Sequence, residues 1–285
     1  MELKYLTQEA LDGCIRSAIR EDVGDGDHSS LASIPDGTQS RAQLIIKGEG
    51  IIAGLKAAER VFHLVDPTLK VNMKLKDGDR VKFGEIGFTV EGNAQSILTS
   101  ERLALNILQR MSGIATYSAY LMSLIDGTKT RLLDTRKTTP NIRVLEKWAV
   151  AIGGATNHRF GLYDMVMLKD NHIDFAGGIP QAIEATKRYL KEKGKELRIE
   201  VETRSLEEVK TVCEVGGIDV IMLDNMSPDQ IREALAIIDG RFETEASGGI
   251  TEETIRSYAE TGVDYISVGA LTHSVNSMDI SLKAF

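Results

Sequence analysis

The sequence predicts an α/β protein: an α+β unit at the N-terminal end, followed by a run of six strand–helix units. Two observations carry this. From Arg131 onward, short apolar runs recur near Leu132, Met165, Ile199, Val220, Thr244 and Tyr265, each of the length of a buried parallel strand. Before Arg131, glycines and an Asp-Gly pair break short alternating segments, which is the punctuation of hairpins and turns. A run of βα units with right-handed crossovers either fans into an open sheet or closes into a barrel, and the periodicity leaves both open.

Taken in order, Met1 to Arg20 alternates charged and apolar residues as an amphipathic helix does, and an acidic loop follows (Glu21, Asp22, Gly24, Asp25, Gly26, Asp27). Arg41 to Lys47 reads as a strand broken at Gly48 and Gly50. Ala57, Ala58, Val61, Phe62 and Val65 then share one helical face that ends at Pro67. Lys70 to Glu91 is punctuated by Asp77-Gly78, Gly84, Gly87 and Gly92. Thr99 offers an N-cap with Glu101 in the first turn of a connecting helix that carries Leu103, Ile107, Met111 and Ile114. Among the later helices, Ser205 with Glu208 makes a capping box, and Ser227, Pro228 and Gln230 make another with proline at its first position. A weak internal echo, Glu214 to Met222 against Glu260 to Ser267, supports repetition of the unit.

Composition narrows the class. At 285 residues, 42% hydrophobic and 27% charged, the chain can bury a sizeable core and is neither a disordered tail nor a disulfide scaffold. Cys14 and Cys213 show no metal-ligand spacing and read as reduced thiols of a cytoplasmic protein. The longest uncharged stretch, Met111 to Ile125, is studded with Ser, Thr and Tyr and is shorter than the ~18 apolar residues a membrane span needs. A net charge of −8 repels nucleic acid and anionic membranes, so any anion site must come from local gathering of basic residues.

Such gathering is visible. The six apolar runs each end in residues that bind or react: Arg136 and Lys137; Lys169, Asp170, Asn171 and His172; Glu200 and Glu202; Asp224 and Asn225; Ser247, Gly248 and Gly249; Gly269 and His273. In a β/α barrel the C-terminal ends of all the strands meet at one mouth. Between Arg136 and His172 six Lys or Arg face three acids, and guanidinium forks and ammonium groups suit carboxylates and phosphates, so the substrate is expected to be a polyanion. Ser247-Gly248-Gly249-Ile250, before a helix expected to be capped by Thr251, forms an anion cradle, and Glu202 with Asp224 can hold Mg2+ and sugar hydroxyls or stabilise a cationic centre. His28, His63 and Trp148 read as surface or packing residues. His172 lines the mouth or supports it.

Several stretches together resemble the quinolinate phosphoribosyltransferase family over essentially the whole chain. They are the Ser100 to Ala115 helix, Asp134 to Pro140 (DTRKTTP), Gly153 to Gly161 (GGATNHRFG), Leu168 to Ile173, Ile199 to Glu202, Leu223 to Asn225, Ala246 to Ile250 and Ile266 to His273. The resemblance implies an incomplete six-stranded β/α barrel with an N-terminal α+β open sandwich domain. The expected segments are a sandwich domain with connector helix over 1–113, a barrel catalytic domain over 114–270, and a C-terminal segment, 271–285, that returns to the N-terminal domain. Ala155 and Asn141 depart from the pattern, standing where the family often has Gly, and neither removes a charged group.

The family reaction joins quinolinate to the ribose of phosphoribosyl pyrophosphate (PRPP), releasing pyrophosphate and CO2 to give nicotinate mononucleotide in NAD biosynthesis. By resemblance, Arg136, His158, Arg159 and Arg102 of the partner subunit in a homodimer clamp the quinolinate carboxylates, with Thr135 nearby. Lys137, Lys169 and His273 face the pyrophosphate, and Glu202 and Asp224 bind Mg2+ and the ribose hydroxyls. Lys137, Lys169, Glu202 and Asp224 are the expected catalytic residues, while Ser247, Gly248, Gly249 and Gly269 hold the 5′-phosphate. Two other readings compete: a Schiff-base aldolase with Lys169 as nucleophile, which would not need the extra cations, and a non-catalytic binding module akin to the molybdenum-transport-associated relatives of the family, which would not need both Glu202 and Asp224.

Overall fold

The computed structural model describes residues 3–285. In chain order its elements begin with α1 (Gln8–Val23), α2 (His28–Ser33), β1 (Gln39–Ile46), β2 (Gly50–Ile51), α3 (Leu55–Val65), β3 (Lys70–Met73), β4 (Arg80–Val81), β5 (Ile86–Asn93) and α4 (Ala94–Leu124). Strand–helix alternation follows: β6 (Arg131–Leu133), α5 (Arg143–Ile152), β7 (Val166–Leu168), α6 (Asp170–Ala176), α7 (Ile179–Lys193), β8 (Ile199–Thr203), α8 (Leu206–Val215) and β9 (Val220–Asp224). The chain ends with α9 (Pro228–Ile238), β10 (Glu243–Ser247), α10 (Ile255–Ala259), β11 (Tyr265–Ser267), α11 (Ala270–His273) and β12 (Ile280–Ala284).

Two compact units result. The first holds the chain up to Tyr120 together with Lys137–Ala155 and Ala270–Phe285. Its antiparallel sheet runs β12-β1-β5-β3, because the end of the chain returns to pair Ile280 with Ile46 and Ala284 with Ala42. Along β1 every second residue from Ala42 is buried, the period of a half-covered strand. The α3 stripe Ala57, Ala58, Val61 and Phe62 is fully buried as its spacing predicts, and Phe62 meets Phe88 of β5 edge to face at 5.7 Å.

Two local expectations within this unit are corrected. The first helix starts at Gln8, where Thr7 accepts a hydrogen bond from the Ala10 N–H, and it continues through Glu21 and Asp22 to Val23; Met1 and Glu2 lie outside the described residues. The long connecting helix does not start at Thr99. Asn93 accepts from the Ser96 N–H at 3.0 Å, so the helix begins at Ala94, and the Thr99 hydroxyl instead donates to Asp27. Asn141 sits at φ 67, the left-handed region that glycine favours and asparagine tolerates.

The second unit, Leu121–Arg136 and Thr156–Gly269, holds a six-stranded parallel sheet ordered β6-β11-β10-β9-β8-β7. Written as a circle this is chain order opened between β6 and β7, an incomplete barrel, which resolves the choice that periodicity left open. The open edge of β6 is covered by a loop: the Thr156 N–H donates to the Leu132 carbonyl at 2.8 Å. Register aligns the acids, since Met222 of β9 is level with Glu202 on β8 and with Glu245 on β10, while Ser247 is level with Asp224. Alternation then places Glu200 and Glu202 on one face of β8 and Ile199, Val201 and Thr203 on the other.

The helix starts of this unit are partly as expected. Ser227, Pro228 and Gln230 form the reciprocal box of α9. Ser205 caps α8, but Glu208 reaches past it to the Arg204 N–H at 2.7 Å and to the Arg204 guanidinium, because a charged partner is available there. Thr251 does not cap a helix with its side chain. It opens a turn in which its N–H donates to the Thr254 hydroxyl at 2.9 Å, and the five-residue α10 begins only at Ile255.

Candidate active site

The loop after Thr156 and the ends of β6 and β8 build a cationic patch in the second unit. Asp134, fully buried just past β6, accepts from the His158 N–H at 2.8 Å and from the Asn157 amide at 2.7 Å. That bracing carries Arg159, whose guanidinium donates to the Met165 carbonyl at 3.1 Å. Burial and the neighbouring charge of Arg136 lower the Arg159 pKa, with Glu200 and Asp164 opposing. Nε of Arg136 is buried and has no hydrogen-bond partner. Two like charges held together, one with an orphaned donor, are costly unless an anion is meant to sit there.

Beside them lies a buried triad, of which the sequence reading singles out His158 and Glu200 but not Glu245 or the contact among the three. His158 Nε2 is 2.8 Å from Glu200 Oε2 and 3.4 Å from Glu245 Oε2, and all three side chains are nearly or wholly inaccessible. Burial works against a charged His158, but hydrogen bonds and attraction from the two glutamates outweigh it and push its pKa up to about 10. Burial and the Glu245 charge push Glu200 up, and His158 partly offsets them. The second oxygens of both glutamates are buried without partners.

A raised histidine pKa stabilises the fold fully below the ordinary value of 6.5, and that contribution is lost as pH rises through about 10. The melting temperature is therefore expected to fall across that interval. A flat profile would show that His158 is not held as a cation.

The carboxylate pair lies on adjacent strands. Glu202 is buried near the end of β8, and Asp224 ends β9. Burial and the Glu202 charge raise the Asp224 pKa, while a hydrogen bond from Asn225 and the Lys169 charge lower it. Lys169 reaches Glu202 at 3.3 Å, so it is part of the same cluster. His172 has a local task, its Nδ1 accepting from the Lys169 N–H at 3.0 Å and closing the first turn of α6. The two partly desolvated carboxylates supply the oxygen ligands that a small, hard dication takes.

The Ser-Gly-Gly turn follows β10. Gly248 and Gly249 have φ 98 and 61, and a Cβ on Gly248 would lie 2.2 Å from Asn225 Oδ1 and 2.9 Å from the Asn225 nitrogen, so only glycine fits. The expected helix dipole contributes little, since α10 is short and starts five residues beyond Ile250. Gly269 follows β11 in the same unit, and Thr135 precedes Arg136. Lys137 and His273 belong to the first unit, where both are exposed, as is Arg102 on α4.

A cavity of about 720 Å3 opens at the other ends of the strands, lined by Lys129, Arg198, Asp219, Arg241, Glu243 and Asp264 among others. Its charges answer one another: Lys129 pairs with Asp264 at 3.2 Å and Arg198 with Glu243 at 2.8 Å. That pattern ties strand starts together and leaves the chemistry at the opposite mouth.

An incomplete β/α barrel with clustered guanidiniums, a carboxylate pair and a glycine cradle at its strand ends defines a transferase for anionic, phosphorylated substrates. The comparisons specify which. Residues 27–112 match the quinolinate phosphoribosyl transferase N-terminal domain, and residues 114–283 match the C-terminal domain. The chain is 46% identical over 288 residues to the chloroplastic nicotinate-nucleotide pyrophosphorylase [carboxylating] of Arabidopsis thaliana, covering 96% of this chain and 82% of that protein. It has the same identity and coverage against quinolinate phosphoribosyltransferase [decarboxylating] 1b of Nicotiana tabacum. The crystal structure of NadC from Streptococcus pyogenes superposes with a TM-score of 0.91 at 41% identity, over 98% of this chain and 97% of that one. The chain belongs to the quinolinate phosphoribosyltransferase family.

Proposed function

We propose that this protein transfers the phosphoribosyl group of PRPP to quinolinate with loss of CO2, giving nicotinate mononucleotide and pyrophosphate in NAD biosynthesis. The observation that carries the reading is the pairing of Arg136 with Arg159 around a buried, partnerless Nε, a vacancy in hydrogen bonding that a carboxylate fills. Family membership supplies the reaction.

In this reading Arg136, Arg159 and His158 hold the quinolinate carboxylates, with Thr135 beside them, and the partner's Arg102 completes the clamp in a homodimer. The exposure of Arg102 on α4 suits that role. The glycosidic carbon exchanges its bond to pyrophosphate oxygen for a bond to the ring nitrogen. Lys137, Lys169 and His273 neutralise the charge that grows on the leaving group, and Glu202 and Asp224 face the cationic sugar carbon and its hydroxyls. The 5′-phosphate rests on Ser247, Gly248, Gly249 and Gly269. Once the ring nitrogen is alkylated, its positive charge stabilises the electron pair that departing CO2 leaves on the adjacent ring carbon, and that pair then takes up a proton.

Glu202 and Asp224 would hold Mg2+, which supplies charge neutralisation for the pyrophosphate oxygens when bound. The catalytic work is assigned to segment 114–270. No helix is long and apolar enough to cross a membrane among the described residues. The two unpaired cysteines suit a reducing compartment, and we place the reaction in the cytoplasm, although plant relatives carry chloroplastic or mitochondrial in their names.

Mixing the purified protein with quinolinate, PRPP and Mg2+ is expected to yield CO2 and nicotinate mononucleotide in equal amounts; absence of both rejects the assignment. Asp224→Asn is expected to lower kcat roughly 100-fold with little change in quinolinate affinity, since it removes a charge that acts on the developing cation. Unchanged turnover at saturating Mg2+ would remove Asp224 from this role.

A further inference from the structure

The proposed reaction makes no use of a multiply bonded ion pair in the first unit. Arg110 on α4 donates from Nε to Glu146 Oε1 at 2.6 Å, and its Nη2 bonds the same carboxylate, the Thr139 hydroxyl at 2.9 Å and the Thr272 carbonyl at 3.1 Å. Glu146, on α5 and fully buried, accepts the Thr139 N–H at 2.9 Å through its other oxygen. The circuit closes where the Thr272 hydroxyl donates to the Lys137 carbonyl at 2.9 Å.

These bonds fall on segments with little regular secondary structure, where Arg143 adds a bond to the Thr138 hydroxyl at 2.8 Å. Lys137 to Ile142 is a loop without a strand ladder, and α11, which carries His273 directly after Thr272, is only four residues long. A planar fork satisfies several acceptors at once in a set geometry, which a lysine ammonium cannot copy. The neighbouring Gln109 tethers the following chain in the same way, donating to the Ile280 carbonyl at 3.0 Å.

We propose that Arg110 and Glu146 are positioning residues that hold the backbone of Lys137 and His273 in the arrangement that binds the pyrophosphate-bearing substrate. This rests on the reading above, in which those two side chains face pyrophosphate. Neither Arg110 nor Glu146 is assigned a substrate contact in that reading. Their effect is specific to one substrate, because the loop and the short helix they brace carry no group assigned to the quinolinate clamp.

The test is steady-state kinetics of the full chain with both substrates varied, and with pyrophosphate as inhibitor. Arg110→Lys and Glu146→Gln are expected to raise the KM for PRPP about tenfold and weaken pyrophosphate inhibition in parallel, with the KM for quinolinate within about twofold. Thr272→Val removes a single hydroxyl and carries the test if the ion-pair variants fail to fold; a threefold or greater rise in the KM for PRPP alone is expected. An unchanged KM for PRPP, or equal rises for both substrates, overturns the proposal. Lys137→Ala and His273→Ala separate the two levels. If they raise the KM for PRPP and the Arg110 and Thr272 variants do not, positioning fails and the site reading stands. If they do not raise it, the site reading fails and takes the proposal with it.

Discussion

Arg136→Ala is expected to raise the dissociation constant for quinolinate roughly 100-fold while leaving that for PRPP within about threefold, because a charge-assisted fork is worth about twice a neutral hydrogen bond per contact. Nε of the guanidinium is already buried and lacks a partner, so no protein acceptor competes for that atom. Removing it also relieves Arg159 of a neighbouring like charge, whose pKa should rise toward its ordinary value. Titration calorimetry with each ligand checks the contrast. Equal losses for both would take Arg136 out of the carboxylate clamp.

His158→Leu is expected to destabilise the fold by about 3–5 kcal/mol near neutral pH, a large share of the roughly 5–15 kcal/mol that a folded protein has in hand. The reason is charge accounting in a dry place. Glu200 and Glu245 hold their outer oxygens against one imidazolium and bury their other oxygens without partners, so loss of the cation leaves two carboxylates facing each other. The Glu200 carboxyl, pushed up by burial, then loses its His158 counter-charge and binds a proton more tightly in the folded chain than in the unfolded one, so the variant regains stability as pH falls. Denaturant unfolding at pH 5 and pH 8 checks this. Adding Glu200→Gln to His158→Leu should recover part of the loss, as removal of a charge and its counter-charge costs less than removal of one. A variant as stable as the parent at pH 8 would mean the triad is not ionic.

Much of this architecture is written locally. Six short apolar runs became β6 to β11, and the capping residues Ser205 and Ser227 start the helices their spacing predicts. The misplaced starts have a common cause. Thr99 and Thr251 are good caps by residue type, but Asn93 captured the earlier N–H groups, and the Thr251–Thr254 turn delayed α10. Cap choice depends on which side chain reaches an N–H first, which several nearby residues contest. A period-2 reading of β10 could have flagged Glu245, because it stands two residues before the expected site residue Ser247 and so shares its face. Arg110 offered no such cue within its helix.

The amino-acid order alone determined the strand–helix alternation, the reactive strand ends and the basic excess between Arg136 and His172, since periodicity, capping and charge are properties of neighbours in the chain. Only the tertiary structure decided that the circle of strands opens between β6 and β7, that His158 meets a glutamate 42 positions away, and that Arg110 joins α4, α5 and α11. A side chain's partner across such distances is set by strand register and helix packing. Those emerge when the whole core closes at once, and no window of sequence contains them.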